Sequence, residues 1–256
     1  MYMGKKIGVV VPAYNEEDLL QRTVEGIPEF VDRTYIIDDG STDATPQIIK
    51  ALSRSRSLIY SLRHEQRRGP GAALASGYKK ALEEGMDIVV VMAGDNQMDP
   101  AQLPNLLAPI IDENVDYAKG NRMSIRKHLQ GMTSWRRLGN WLLRWLTRIA
   151  SGNYKIMDPQ NGYTAITKKA LKQINVDSIY PYYGCPNDIL VKLSVAGARI
   201  CEVPMPARYQ GEKSKIKYSK YIPKVSMLLL SDFLWRLWVK YIKRPLIRNL
   251  GREENV

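Results

Sequence analysis

Short apolar runs alternate with amphipathic stretches over the first hundred residues. The runs at 7–11, 35–37, 58–62 and 88–92 are separated by stretches at 16–29, 44–53 and 71–84 in which apolar positions recur every three or four residues. Brief runs rich in valine and isoleucine read as buried strands, and the longer periodic stretches read as helices. The alternation predicts an α/β fold, a mostly parallel central sheet wound with helices. In such sheets ligands bind outside the carboxyl ends of the strands. The polar clusters that follow the strands are therefore where chemistry is expected.

After Pro100 the pattern is less regular. It predicts a helix at 102–113, a short strand near 117–119 and a basic, tryptophan-rich helix at 135–149. From Ile222 onward Asp232, Arg236, Lys240 and Lys243 recur at helical steps, and Leu230, Leu234, Leu237, Trp238 and Tyr241 cover the other side. That is the signature of a basic amphipathic helix lying in a membrane interface. One domain is expected over 1–221, with 222–256 as a helical, membrane-associated tail.

Charge sharpens this picture. The 256 residues carry a formal net charge of +12, but residues 1–120 hold 13 basic and 18 acidic side chains. The basic excess lies in 121–150, with seven basic and no acidic residues, and in 205–256, with twelve against four. Such blocks attract phosphate on lipid, nucleic acid or a small molecule. No uninterrupted stretch reaches the ~18 apolar residues of a transmembrane helix. Met1 leads almost directly into 7–11, which is expected to be a strand and not a signal peptide. Cys185 and Cys201 show no metal or disulfide spacing, which fits a reducing, cytoplasmic setting.

Three strand ends carry the candidate chemistry. VVVPAYNEE at 9–17 places Tyr14, Asn15 and Glu16 beyond a strand. IDDGSTDAT at 37–45 puts Asp38 and Asp39 at a strand tip, where carboxylates can accept from a base N–H or a ribose hydroxyl. A bland alternative has Asp39 and Asp43 only shaping the turn and capping the next helix. MAGDNQMDP at 92–100 offers Asp95, Gln97 and Asp99 at alternate positions. Hard oxygen ligands so placed suit Mg²⁺ or Mn²⁺ bridging a diphosphate.

With RRGPGAALASGY at 67–78, KGNR at 119–122, DPQNGY at 158–163 and GEKSKI at 211–216, these motifs resemble glycosyltransferase family 2, in its dolichol-phosphate mannose synthase-like, polyprenyl-phosphate branch. The resemblance implies the Rossmann-like GT-A fold, with a nucleotide-sugar-binding half at 1–120 and an acceptor-binding half at 121–221. It implies that Pro12, Tyr14, Glu16, Asp38, Asp39 and Arg68 hold the donor nucleotide, and that Asp95 and Gln97 hold the metal. Arg122, Arg136 and Asn140 match positions that hold an acceptor phosphate, and Arg208, Ser214 and Lys215 match a late basic segment that closes over the diphosphate or the acceptor phosphate. Two departures stand out: Ala93 replaces the first aspartate of the metal element, and Pro70 replaces a lysine frequent in relatives, leaving the cationic role to Arg68.

The implied reaction is inverting transfer of a sugar from GDP-mannose, UDP-glucose or UDP-N-acetylglucosamine to dolichyl or polyprenyl phosphate, on the cytoplasmic face of a membrane. A homo-oligomer is compatible with it. The main alternative is a glycosyltransferase that extends a polysaccharide or glycolipid through a hydroxyl, which needs Asp158 or Asp188 as base. A basic nucleic-acid-binding protein is the remote alternative, since it leaves three acidic strand tips unexplained; no nucleic-acid partner is expected.

Overall fold

The structure, a computed structural model, describes residues 1–124, 134–206 and 218–243, with the side chains of 134–138 and 218–220 outside the description. The elements run β1 (Ile7–Ala13), α1 (Leu20–Glu25), β2 (Arg33–Asp38), α2 (Thr45–Ser55), β3 (Ile59–Arg63), α3 (Pro70–Glu83), β4 (Ile88–Val91) and α4 (Leu103–Asp112). There follow β5 (Tyr117–Asn121), α5 (Ser134–Ser151), β6 (Thr164–Thr167), α6 (Lys168–Gln173), α7 (Cys185–Ala196), β7 (Ile200–Pro204) and α8 (Tyr218–Trp238). A π-helical turn, Val239–Lys243, continues α8.

The strands form one sheet in the order β3-β2-β1-β4-β6-β5-β7. All pairs are parallel except those of β6, which runs antiparallel to β4 and β5. Val9 and Val11 of β1 pack on one face with Leu103, Leu106 and Leu107 of α4. Val10 packs on the other with Leu74 and Tyr78 of α3 and Leu190 of α7. Burial on both faces explains why β1 and β4 read as continuous apolar runs without alternation. Gly77 lets α3 settle directly on β1, because a Cβ there would collide with Val10.

A third cluster joins Leu143 and Ala150 of α5, Val191 of α7, and Tyr221, Val225 and Leu229 of α8. The helix read from Ile222 onward thus starts at Tyr218, and part of its apolar surface is packed onto the domain. The first helix is shorter than the periodicity implied, because 14–19 is drawn into the loop described next.

Candidate functional site

Because β1, β2, β4, β5 and β7 share one direction, their carboxyl ends emerge along one edge. Antiparallel β6 brings its amino end, and with it the 158–163 segment, to that same edge. Pro12, Tyr14, Asp38, Asp39, Asp95, Arg122 and Asp158 therefore share a rim of the molecule.

The donor-side part is three loops stitched together. Asn15, in the left-handed region at φ 53°, donates its N–H to Ser41 Oγ (3.0 Å) and accepts from Thr42 N–H (2.9 Å). The N–H of Glu16 donates to Thr45 Oγ1 and that of Ala44 to Glu17 Oε2, both at 2.9 Å. The Arg67 guanidinium lies 4.0 Å above the centre of the Tyr14 ring, while Arg68 is exposed and meets Asp39 through its main chain. Gly40 (φ +73°) makes room for this loop, since a Cβ would stand 2.8 Å from Arg67 N.

Asp38 and Asp39 are both 2% exposed. Asp39 accepts from the N–H groups of Arg68 (2.8 Å) and Gly69 (2.7 Å) and lies 2.9 Å from His64 Nδ1. A carboxylate here can only accept, so Nδ1 carries a proton and donates it to Asp39, while Nε2 lies 3.0 Å from Ser76 Oγ. Asp38 accepts from Ser41 N–H through Oδ1 (2.9 Å). Its buried Oδ2 lies 3.4 Å from Arg63 Nε without a hydrogen bond among the described residues. His64 was not singled out from the sequence; only its place in RHEQRRG, just before the glycine turn, was a signal.

The third tip is anchored to the first: Gly94 N–H donates to Pro12 O (3.1 Å), and Thr23 Oγ1 donates to Gly94 O (3.2 Å). Asp95 spends Oδ1 on Gln97 N–H (3.2 Å), with Asn96 in the left-handed region (φ 54°) between them. The half-buried Gln97 amide makes no hydrogen bond among the described residues. The Asp95 carboxylate and the Gln97 amide oxygen are hard oxygen donors that suit Mg²⁺ or Mn²⁺ in chemical kind. Ala93 contributes no ligand, and Asp99 instead caps the following turn through Ala101 N–H (3.0 Å).

On the acceptor side Asp158 grips Arg122 through three hydrogen bonds, from Nε (2.8 Å), Nη2 (2.9 Å) and the main-chain N–H (3.0 Å). Burial pushes the Asp158 carboxyl up, but the charge and hydrogen bonds of Arg122 win and hold it below its ordinary value. Asp188, in the first turn of α7, accepts from Tyr180 N–H (2.7 Å) and pairs with Lys192. Asn140 lies half-buried on α5. The Arg136 side chain, Arg208, Ser214 and Lys215 lie outside the described residues.

Comparison with known proteins gives this arrangement its context. A UDP-N-acetylglucosamine–dolichyl-phosphate N-acetylglucosaminyltransferase of Methanococcus voltae is 31% identical over 218 residues, spanning 80% of this chain and 86% of its own. An undecaprenyl-phosphate mannosyltransferase of Micrococcus luteus is 27% identical, over 78% of this chain and 82% of its own. Among solved structures, glucosyl-3-phosphoglycerate synthase from Mycobacterium tuberculosis, crystallised with phosphoglyceric acid, superposes with a TM-score of 0.66 at 22% identity. The match covers 91% of this chain and 80% of that one and supports the fold alone. The family model for glycosyl transferase family 2 matches residues 8–174. The chain belongs to glycosyltransferase family 2, and the protein is a glycosyltransferase.

Proposed function

We propose that the enzyme moves a sugar from a nucleotide-sugar donor onto the phosphate of a dolichyl or other polyprenyl phosphate, with inversion, while lying on the cytoplasmic face of a membrane. The observation that carries this reading is the state of the two carboxylates a hydroxyl acceptor would need. Asp158 and Asp188 are each 1% exposed, and each is committed to a cation. An alcohol must give up its proton as it attacks, and neither group is placed to take it. A phosphate monoester, with a second pKa of ≈ 6 by analogy with phosphoserine, arrives already ionised. The Methanococcus and Micrococcus relatives, by name a dolichyl-phosphate and an undecaprenyl-phosphate transferase, agree in acceptor class.

In the reaction an oxygen of the lipid phosphate attacks the anomeric carbon from the face opposite the nucleoside diphosphate. The bond to the diphosphate breaks, and its electron pair leaves with that group. The protein's task is alignment and charge stabilisation. The loops carrying Pro12, Tyr14, Glu16, Asp38, Asp39 and Arg68 hold the nucleotide. Arg122 orients the attacking phosphate, helped by Arg136, Asn140, Arg208, Ser214 and Lys215. Mg²⁺ or Mn²⁺ at Asp95 and Gln97 would neutralise charge on the departing diphosphate.

No helix among the described residues is long and apolar enough to cross a membrane. Trp141, Trp145 and Ile149 of α5 and Leu230, Leu234 and Trp238 of α8 are nonetheless exposed, with Arg148 stacked 5.2 Å from the Trp145 ring centre. Aromatic and aliphatic groups among cations suit the headgroup layer.

The test is transfer of label from GDP-mannose, UDP-glucose and UDP-N-acetylglucosamine to dolichyl phosphate, with Mn²⁺ or with EDTA, beside Asp95→Ala. A labelled lipid that disappears with EDTA and in the variant supports the reading. Intact donor binding with no lipid product from any donor rejects it.

A further inference from the structure

Beneath Arg122 lies a lysine that none of these steps uses. Lys119, on β5, is 0% exposed, and burial pushes its ammonium down to about 8 against the opposing pull of Asp158 and Glu202. Its Nζ donates to the main-chain carbonyl of Asp158. From the neighbouring strand β7, Glu202 accepts from Asn121 Nδ2 (2.8 Å), from Met157 N–H (3.0 Å) and from Asp158 N–H (2.9 Å). The backbone at 157–158 is thus gripped from both sides, its N–H groups by Glu202 and its carbonyl by Lys119. The side chain of that turn is the Asp158 carboxylate that holds Arg122.

Four buried or half-buried charges in balance are a poor device for stability, because apolar replacements of similar shape generally do as well or better. They are a good device for fixing a direction. We propose that Lys119 and Glu202 are positioning residues for acceptor recognition, which fix the 157–158 turn and through Asp158 the orientation of the Arg122 guanidinium. The inference rests on the reading of Arg122 as a ligand of the acceptor phosphate. Asp158 takes the Nε–Nη2 edge, so that edge is closed to a ligand and the guanidinium is turned before the phosphate arrives. Preorganisation of this kind removes the ordering cost from the binding step.

The charged groups facing Lys119 are Asp158, Glu202 and Arg122. Loss of the lysine proton leaves the cluster with a net negative charge, which opposes a phosphate dianion.

The test is a set of steady-state constants for donor and acceptor, using a short-chain polyprenyl phosphate in detergent. Lys119→Met, Glu202→Gln and Asn121→Ala are measured alone and in an Arg122→Lys background. Each single variant is expected to raise the acceptor KM about 10-fold, as a misplaced recognition group does, with the donor KM unchanged within about 2-fold. In the Arg122→Lys background the further change should be under about 2-fold, since groups acting through one another are not additive. Wild-type kcat/KM for the acceptor should fall above pH about 8, and that limb should be absent in Lys119→Met.

Asn121→Ala removes one of three donors to Glu202 and carries the test if a buried-charge variant folds poorly by circular dichroism. An unchanged acceptor KM in folded variants, or an equal loss in the Arg122→Lys background, overturns the proposal. If Arg122→Lys alone leaves the acceptor KM unmoved, it is the reading of Arg122 that fails.

Discussion

Asp39 carries three hydrogen bonds from its own protein while sitting at the rim of the donor loops, so its carboxylate sets the shape of 64–69. Asp39→Asn keeps the volume but turns one oxygen into a donor facing a donor. Leaving a buried N–H unmatched costs about 1–3 kcal/mol. The expected result is a nucleotide Kd raised ~10-fold or more by titration calorimetry, with acceptor binding unaffected. Gly69 is a second point of no tolerance: its φ is +103°, and a Cβ would run into the carbonyl of Pro181. Gly69→Ala should lower stability by about 2 kcal/mol or more in urea denaturation. Asp158 supplies the pH dependence. Its folded-state pKa lies below the ordinary 3.8, so its contribution is present above about pH 4 and is lost as pH falls through the folded value. In Asp158→Asn the acid limb of a thermal-melt series between pH 5 and 2 should flatten, with stability at pH 7 lower by about 3 kcal/mol, because Arg122 loses its partner.

Elements differ in how much of themselves they wrote into the chain. β1, β2 and β4 were legible because both sheet faces are buried there, giving unbroken apolar runs, and α2 and α3 because each buries one side; β3, at the edge of the sheet, buries little beyond Ile59. β6, α7 and β7 were not legible. β6 is only the four residues Thr164–Thr167, and β7, Ile200–Pro204, contains Glu202 turned inward to bind the 157–158 turn. α7 buries Cys185, Asn187, Asp188, Ile189, Leu190, Val191 and Leu193, on nearly every side, so it has no polar stripe to betray its period. The candidate site was legible as motifs but not as partnerships. Nothing in DPQNG or KGNR states that Asp158 faces Arg122, since 36 residues separate them. The same holds for the polar chain Thr147–Asn187–Gln160–Tyr221, which ties α5, α7 and α8 to the segment after Asp158. Asn187 is fully buried, and its amide donates to Thr147 Oγ1 at 2.6 Å. Asn187→Leu should cost about 1–3 kcal/mol by stranding two partners, read as a lowered Tm. It should also loosen α8 in hydrogen exchange while protection in β1 and β4 stays unchanged.

At the scale of the whole molecule, charge and apolar exposure are separated in a way that the fold explains. The acidic excess lies in 1–120, the half that carries the donor loops, and the basic excess lies beyond, where α5, α8 and the turn that continues α8 carry most of the large exposed apolar side chains among the described residues. A purely electrostatic surface would release from a membrane as salt is raised, because the screening length shrinks from ≈ 10 Å at 0.1 M to ≈ 3 Å at 1 M. A surface that also inserts Trp141 and Trp145, 51% and 40% exposed, would not release completely. Co-sedimentation with vesicles of phosphatidylglycerol and phosphatidylcholine separates the two contributions. Wild-type protein should lose about 10-fold in affinity between 0.1 and 0.5 M salt and then level off, each nearby cation having contributed up to ~1 kcal/mol. Trp141→Ser with Trp145→Ser should weaken binding at every salt concentration and abolish the plateau. Arg144→Ser with Arg148→Ser should instead reduce the salt-dependent part and leave the plateau standing. Binding that vanishes at high salt in the wild type would mean that the tryptophans do not enter the bilayer, and that the exposed face of α5 has some other occupant.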